Sequence, residues 1–274
     1  MKNNRLLVLL GMLSLLVFSA CKSEFERIRA SNDPDLLYKK ASEYYEAGEH
    51  QKAQTLYELI IGSFRGRPEA EEISFKYAYT YYQQEQFILA SYYFKNFSQT
   101  YANSAKREEA DFMSAYSNYQ LSPTFRLDQT YTQTAIDELQ LFINTYPRSN
   151  RVSECNALID EMRAKLEKKA FEEGKLYFDL RAYQSATHVF ENLLKDYPET
   201  KHAEEVRFKI IQSAYLLAEN SVVERQEERY QEALARTETF LTRYPSSSYK
   251  REVLAVQNNS QKKLNQIKNV GYQN

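Results

Sequence analysis

Few residues of this chain have the types and spacing that catalysis or metal binding requires. The three histidines, His50, His188 and His202, all lie away from any other histidine or cysteine at ligand spacing, so no metal site is predicted. The sequence contains neither a GxSxG nucleophile motif nor a glycine-rich phosphate loop. Acidic pairs such as Glu172-Glu173 are typical of solvated helix faces. We therefore expect no catalytic residue, no metal and no cofactor.

The residue with the clearest chemistry is Cys21. Lys2 and Arg5 precede an apolar run of 15 residues, Leu6 to Ala20, which is shorter than the roughly 20 residues of a membrane-spanning helix. Such a run, ending in two small residues, is typical of a secretory signal. The segment LVFSAC resembles a bacterial lipobox, in which the cysteine is diacylated and becomes the new N-terminus. The alternative is an ordinary signal peptide that happens to precede a cysteine.

The lipobox resemblance predicts how the protein is anchored. Residues 1–20 would be the signal peptide, and residues 21–32 would be a lipid-anchored tether. A lipidated protein is anchored to a membrane without spanning it. Lys22, rather than an aspartate, follows the cysteine, which favours the outer membrane. We expect the periplasmic face and keep the cell surface as the alternative. Cys155, the only other cysteine, is interpreted as a small buried residue.

The composition predicts long helices and excludes a nucleic-acid partner. The chain has 274 residues, with only 6 Gly and 6 Pro, so turns are few. Its net charge is −1, which leaves no basic field large enough to bind nucleic acid. The 23 Tyr and 15 Phe, with no Trp, indicate aromatic residues placed at repeated positions.

Lys169–Pro198 shows the repeat unit most clearly. It is predicted to form two helices, with Gly174 in the first and Ala186 in the second. These small residues let the two helices approach closely, and Phe190 fills the space beside them. Pro198 ends the unit because proline cannot continue a helix. The order of small, aromatic and turn residues resembles the tetratricopeptide repeat (TPR).

Similar units recur along the chain. Their key alanines are spaced by 37, 45, 51 and 47 residues, so the repeats are longer than the usual period of about 34; they are Ala53, Ala90, Ala135, Ala186 and Ala233. We predict an all-α fold: a superhelical array of about five tetratricopeptide-like helix pairs with a C-terminal capping helix. Residues 33–123 would form N-terminal repeats, and residues 124–268 would form C-terminal repeats with the capping helix. The alternative is an unrelated helical bundle.

The crowded tyrosines allow two interpretations. Tyr77 and Tyr81 share one helix face and are candidates for the repeat core. Tyr45, Tyr79 and Tyr82 lie elsewhere around their helices, so they are expected to be more exposed. These three are candidate peptide-binding aromatic residues on a concave surface. The alternative, that wide repeats need large core fillers, is the more common role of an aromatic residue.

The lipobox, the tether and the repeats together resemble the BamD family of outer membrane assembly lipoproteins. The resemblance covers Cys21 to about Ile267, and the phrase from Phe97 to Pro123 is similar to the family's second-to-third repeat junction. The abundance of Tyr, Asn and Lys resembles a Bacteroidetes-type member. The family's members are lipoprotein subunits of the machinery that inserts β-barrel proteins into the bacterial outer membrane.

The resemblance implies a non-catalytic scaffold with protein partners. Repeats around Leu37–Tyr119 would recognise unfolded outer membrane protein precursors. Repeats around Ala170–Leu254 would dock on the POTRA domains of the β-barrel assembly subunit. The polar insertions Phe125–Thr130 and Ser221–Arg229 could serve further partners. Two alternatives stay open: an envelope lipoprotein that organises peptidoglycan-associated factors, and a lipid-anchored enzyme whose catalytic groups converge from distant positions.

Overall fold

The structure, a computed structural model, describes residues 24–271, so the predicted signal peptide and Cys21 lie outside the described residues. Within that range every regular element is a helix. The twelve helices are α1 (Glu24–Arg29), α2 (Pro34–Glu46), α3 (His50–Ile60), α4 (Glu69–Gln83), α5 (Phe87–Thr100), α6 (Arg107–Gln120), α7 (Thr130–Thr145), α8 (Val152–Asp179), α9 (Tyr183–Asp196), α10 (Ala203–Glu219), α11 (Val223–Arg243) and α12 (Lys250–Gly271).

The predicted all-α, tetratricopeptide-like fold class is confirmed. Helices α2 to α11 form five successive pairs, and α12 follows as the predicted last helix. Val253 and Leu264 of α12 are buried against α10 and α11. The chain divides into two compact units: unit 1 comprises the residues up to Pro123 together with Asp128–Ile159, and unit 2 comprises Thr124–Leu127 and the residues from Asp160 onward.

Small residues lie at the contact between the two helices of each pair. The key alanine of each second helix is fully buried; these are Ala53, Ala90, Ala135, Ala186 and Ala233. In unit 2 the backbone of Gly174 lies so close to the ring of Phe190 that an added Cβ would be 2.4 Å from Phe190 Cε1. Phe190 is itself fully buried. Phe190 therefore fills the space beside Gly174, as predicted for Lys169–Pro198.

A hydroxyl closes the turn between successive repeats by bonding in two directions. Ser104 Oγ accepts from the Lys106 backbone N–H at 2.9 Å and donates to Glu71 Oε1 at 2.6 Å. The same two bonds recur at Ser149 with Arg151 and Glu108, and at Thr200 with His202 and Glu167. Each hydroxyl therefore satisfies a backbone donor ahead of the next helix and joins that turn to the preceding repeat.

The N-terminal part of the described chain is helical rather than extended. Residues Glu24–Arg29 of the predicted tether form α1. Phe25 packs edge-on against Tyr44 with ring centroids 5.8 Å apart, and Ile28 is buried. The chain is thus already packed against α2 just after the predicted anchor.

Two connections differ from a simple polar loop. Phe64, in the glycine-rich segment 62–68, is fully buried, and the Arg67 guanidinium lies 4.0 Å above its ring. The polar insertion Ser221–Arg229 is mostly helical, because α11 begins at Val223. Its extra residues therefore lengthen a helix rather than form a loop.

Replacing Gly174 by alanine tests the close helix contact. We expect Gly174→Ala to lower the free energy of unfolding by about 1–3 kcal/mol, because overpacking a buried ring outweighs the helix propensity gained from alanine. Urea denaturation followed by circular dichroism measures the change. Glu173→Ala places the same residue at an adjacent exposed position and should change stability by no more than about 0.5 kcal/mol. Equal effects of the two variants would contradict the contact.

Candidate functional site

Five half-buried tyrosines of unit 1 lie on the first helices of three successive repeats. We call this group the tyrosine face; its members are Tyr45 on α2, Tyr79 and Tyr82 on α4, and Tyr116 and Tyr119 on α6. Ring centroids are 6.5 Å apart for Tyr79–Tyr82, 6.3 Å for Tyr82–Tyr116 and 5.6 Å for Tyr116–Tyr119. Of the three tyrosines predicted as candidate site residues, Tyr79 and Tyr82 therefore lie in one row of rings, and Tyr45 lies on the first helix of the preceding repeat.

Tyr79 is held in place by the neighbouring repeat. Its hydroxyl donates to Glu109 Oε1 at 2.6 Å, and Glu109 also pairs with Arg151 at 2.5 Å. Its ring meets the Phe94 ring edge-on at 4.9 Å. Burial, and then the hydrogen bond to Glu109, raise the pKa of Tyr79 above its usual value. The hydroxyl is thus a fixed neutral donor to Glu109.

Tyr82 continues the face toward α6. Its ring packs against Phe87 at 5.5 Å and faces Tyr116 at 6.3 Å. Burial, and then the neighbouring Tyr116, raise the pKa of Tyr82. Tyr116 in turn stacks on Phe112 at 5.5 Å, so the exposed edges of the face rest on rings of the core.

Tyr45 forms the other end of the face beside a charged group. The Lys76 ammonium lies 5.1 Å from the Tyr45 ring and bridges Glu46 at 3.0 Å and Glu72 at 2.9 Å. Burial lowers the pKa of Lys76, but its hydrogen bonds to Glu72 and Glu46 outweigh that effect and raise the pKa overall. Lys76 therefore stays charged. The Tyr45 ring also contacts the His50 ring edge-on, with centroids 5.6 Å apart.

This arrangement suits an extended peptide better than a reaction. Half-buried tyrosine rings offer apolar area together with a hydroxyl group. An ordered row of them can contact side chains spaced along an extended strand. Tyr116 and Tyr119 are not among the site residues predicted from the sequence. Tyr82 follows Tyr45 by 37 residues, Tyr119 follows Tyr82 by 37, and Tyr116 follows Tyr79 by 37. This equals the spacing of the key alanines of the first two repeats, and it is the signal that would have found the face.

Unit 2 has a second candidate surface, a cleft of about 440 Å³ between α9, α10 and α11. Its apolar lining comprises Leu194, Ile210, Ile211 and Phe240. At its edge Arg236 pairs with Glu191 at 2.8 Å and with Glu232 at 2.7 Å. An apolar floor with charged groups at its rim is the usual composition of a protein docking site.

The histidines have structural contacts in the described part of the chain. His50 packs on Tyr45, His188 Nε2 lies 3.2 Å from Asn192, and His202 stacks on Phe171 at 5.0 Å. Within residues 24–271, no three histidine, cysteine or acidic side chains are grouped to hold a metal ion. Cys155 is a free, buried thiol, and burial raises its pKa to about 11, which matches the structural role predicted for it.

None of the helices in residues 24–271 combines the length and the apolar character needed to cross a membrane.

Several solved structures of tetratricopeptide proteins are similar to this chain. The TPR2AB domain of yeast Sti1, in complex with pHSP90, is 13% identical, with a TM-score of 0.38 over 83% of this chain and 98% of that one. A thermophilic TPR protein of Thermus thermophilus is 16% identical, with a TM-score of 0.30 over 81% and 98%. No curated protein matches the chain.

One protein family matches most of the chain. The family described as YfiO, outer membrane lipoprotein, matches residues 30–227. The matched range includes all of the tyrosine face and half of the residues that line the cleft in unit 2. The match confirms the resemblance to the BamD family. The chain belongs to the YfiO family of BamD-like outer membrane lipoproteins, whose members are scaffolds built from tetratricopeptide-like repeats.

Proposed function

We propose that this lipoprotein is a non-catalytic scaffold of the β-barrel assembly machinery that helps to fold and insert outer membrane proteins. The observation that carries the proposal is the family match over residues 30–227. The two candidate surfaces support it, because both are suited to protein ligands. A scaffold needs separate surfaces for separate partners, and the tyrosine face and the cleft lie in different units of the chain.

The N-terminal repeats, residues 33–123, contact unfolded outer membrane protein precursors in this proposal. The tyrosine face supports that role, because a precursor strand carries alternating apolar side chains that aromatic rings can receive. The rings are supported by core residues and by Glu109. Binding would therefore order few side chains, which limits its entropic cost.

The C-terminal repeats, residues 124–268, dock on the POTRA domains of the β-barrel subunit in this proposal. The cleft of unit 2 supports that role by its apolar floor and its paired charges. Ala235 and Thr239 are exposed on α11 and lie one helical turn apart at the cleft edge. A bulky residue at Ala235 would therefore fill the cleft without disturbing the buried side of α11.

Copurification tests the proposed assembly. The lipidated protein, isolated from outer membranes with a C-terminal affinity tag, should recover the POTRA-bearing β-barrel subunit. Ala235→Arg should reduce that recovery by about tenfold, because it removes access to the cleft. Recovery of peptidoglycan-associated proteins in place of the β-barrel subunit would instead favour the alternative of an envelope organiser.

Tyrosine substitutions test the proposed precursor site. Tyr45→Ala and Tyr82→Ala should each weaken binding of a chemically unfolded β-barrel precursor by about tenfold, because each removes one ring of the face. Fluorescence anisotropy with a labelled precursor measures the affinity. Tyr92→Ala, at an exposed position of α5 outside the face, is the matched control and should bind like the unchanged protein. Equal affinity of all three variants would remove the tyrosine face from the proposal.

We also propose that Cys21 carries the lipid and holds the protein on the periplasmic face of the outer membrane. Cys21→Ser should leave the helical circular dichroism unchanged and release the protein from membranes, because the acyl chains are the main anchor. Membrane fractionation followed by a high-salt wash measures the release. If the variant stayed with the membranes through the wash, protein contacts would be the main anchor.

A further inference from the structure

Unit 1 exposes large apolar side chains at the beginning of its second helices. Ile88 and Leu89, in the first turn of α5, are 58% and 42% exposed. Tyr131, in the first turn of α7, is 38% exposed. Exposed aliphatic side chains are usually scattered singly over a surface, so a group at one end of neighbouring helices calls for a partner.

These residues lie at one edge of unit 1. The ion pair between Lys95 Nζ and Glu138 Oε1, 2.8 Å long, joins α5 to α7, and both residues are ninth in their helices. The helices each follow a turn from a first helix, so they run in the same direction. Ile88 and Tyr131, both second in their helices, therefore each lie about 10 Å from this ion pair toward the turns.

Helix α1, at the start of the described chain, lies beside the turn between the two helices of the first repeat. Phe25 packs on the Tyr44 ring, and the Lys52 ammonium lies 5.0 Å from that same ring. Tyr44 is near the end of α2 and Lys52 is near the start of α3, so α1 packs beside the α2–α3 turn.

Two contacts place this turn on the side of unit 1 where the α4–α5 turn lies. Tyr38 bonds to Glu72 near the starts of α2 and α4, at 3.3 Å, so these helices run in the same direction. Gln84, the residue directly after α4, donates to Gln54 of α3 at 2.7 Å. The turns of the first two repeats are therefore neighbours, and Ile88 and Leu89 begin directly after the second one.

We propose that this edge of unit 1, called the turn edge and comprising α1, Ile88, Leu89 and Tyr131, rests on the lipid surface of the membrane. The inference rests on the proposed lipid anchor at Cys21. Cys21 precedes Glu24 by three residues, so even an extended chain keeps the acyl group within about 10 Å of α1. The anchor therefore holds the turn edge beside the bilayer at high effective concentration.

The side chains of the turn edge fit an interfacial position. Isoleucine and leucine gain free energy by entering the boundary of the acyl chains, and tyrosine is enriched at the level of the headgroups. Shallow insertion of a few such residues is weak by itself. Next to a covalent lipid it sets which edge of the protein faces the membrane.

Tryptophan fluorescence tests the orientation, because the chain contains no Trp and each introduced Trp is the only one. Ile88→Trp and Tyr131→Trp report on the turn edge. Leu59→Trp and Leu141→Trp are controls near the opposite ends of α3 and α7, at positions 52% and 64% exposed. Each full-length lipidated variant is placed in phosphatidylethanolamine–phosphatidylglycerol vesicles with brominated acyl chains. We expect quenching at the two turn-edge positions to be at least about threefold greater than at the two controls.

The outcomes separate the inference from the anchor on which it rests. Vesicle sedimentation first shows whether each protein is membrane-bound, and circular dichroism shows whether it is folded. Bound protein with equal quenching at all four positions would overturn the turn edge and leave the anchor intact. Protein that does not sediment with vesicles would overturn both.

Discussion

The close contact of two helices through residues with almost no side chain is the constraint on which the rest of the structure depends. The key alanine of all five second helices is fully buried. At so short a helix separation, large side chains are excluded from the crossing and must lie beside it. Aromatic residues fill the remaining space, and the ring of Phe190 lies directly against the backbone of Gly174.

The same constraint determines how extra residues are accommodated. The small residue of the first helix precedes the key alanine by 12 residues in three pairs; these are Ala41 and Ala53, Ala78 and Ala90, and Gly174 and Ala186. The spacing is 20 from Ala115 to Ala135 and 19 from Ala214 to Ala233. The extra seven residues of the fifth pair, about two helical turns, all lengthen the start of α11, where Ala233 is the eleventh residue, whereas Ala186 is the fourth residue of α9. Of the extra eight residues of the third pair, six lie in the connection between α6 and α7 and two at the start of α7.

Periodic features of the chain could be predicted from its sequence, and contacts between repeats could not. Small and aromatic residues that recur at helical spacing predict helix pairs, because this spacing involves only residues close together in the chain. The burial of Phe64 in a glycine-rich connection, and the bond from Tyr79 to Glu109, depend on which repeat packs next to which. Helical spacing likewise separated Tyr79 from the core residues Tyr77 and Tyr81. It did not show that Tyr79 would be half-buried against Phe94.

The tyrosine face follows from stacking repeats, and no single repeat could form it. A first helix has one side toward its partner helix and one side toward the next repeat, so aromatic residues between these sides are only half covered. Glu109 binds Tyr79 across that boundary and is itself held by Arg151. The contact that joins neighbouring repeats thus also fixes the orientation of a ring on the face. A ligand would find that ring already ordered, so the stability of the array and the readiness of the surface have the same physical origin.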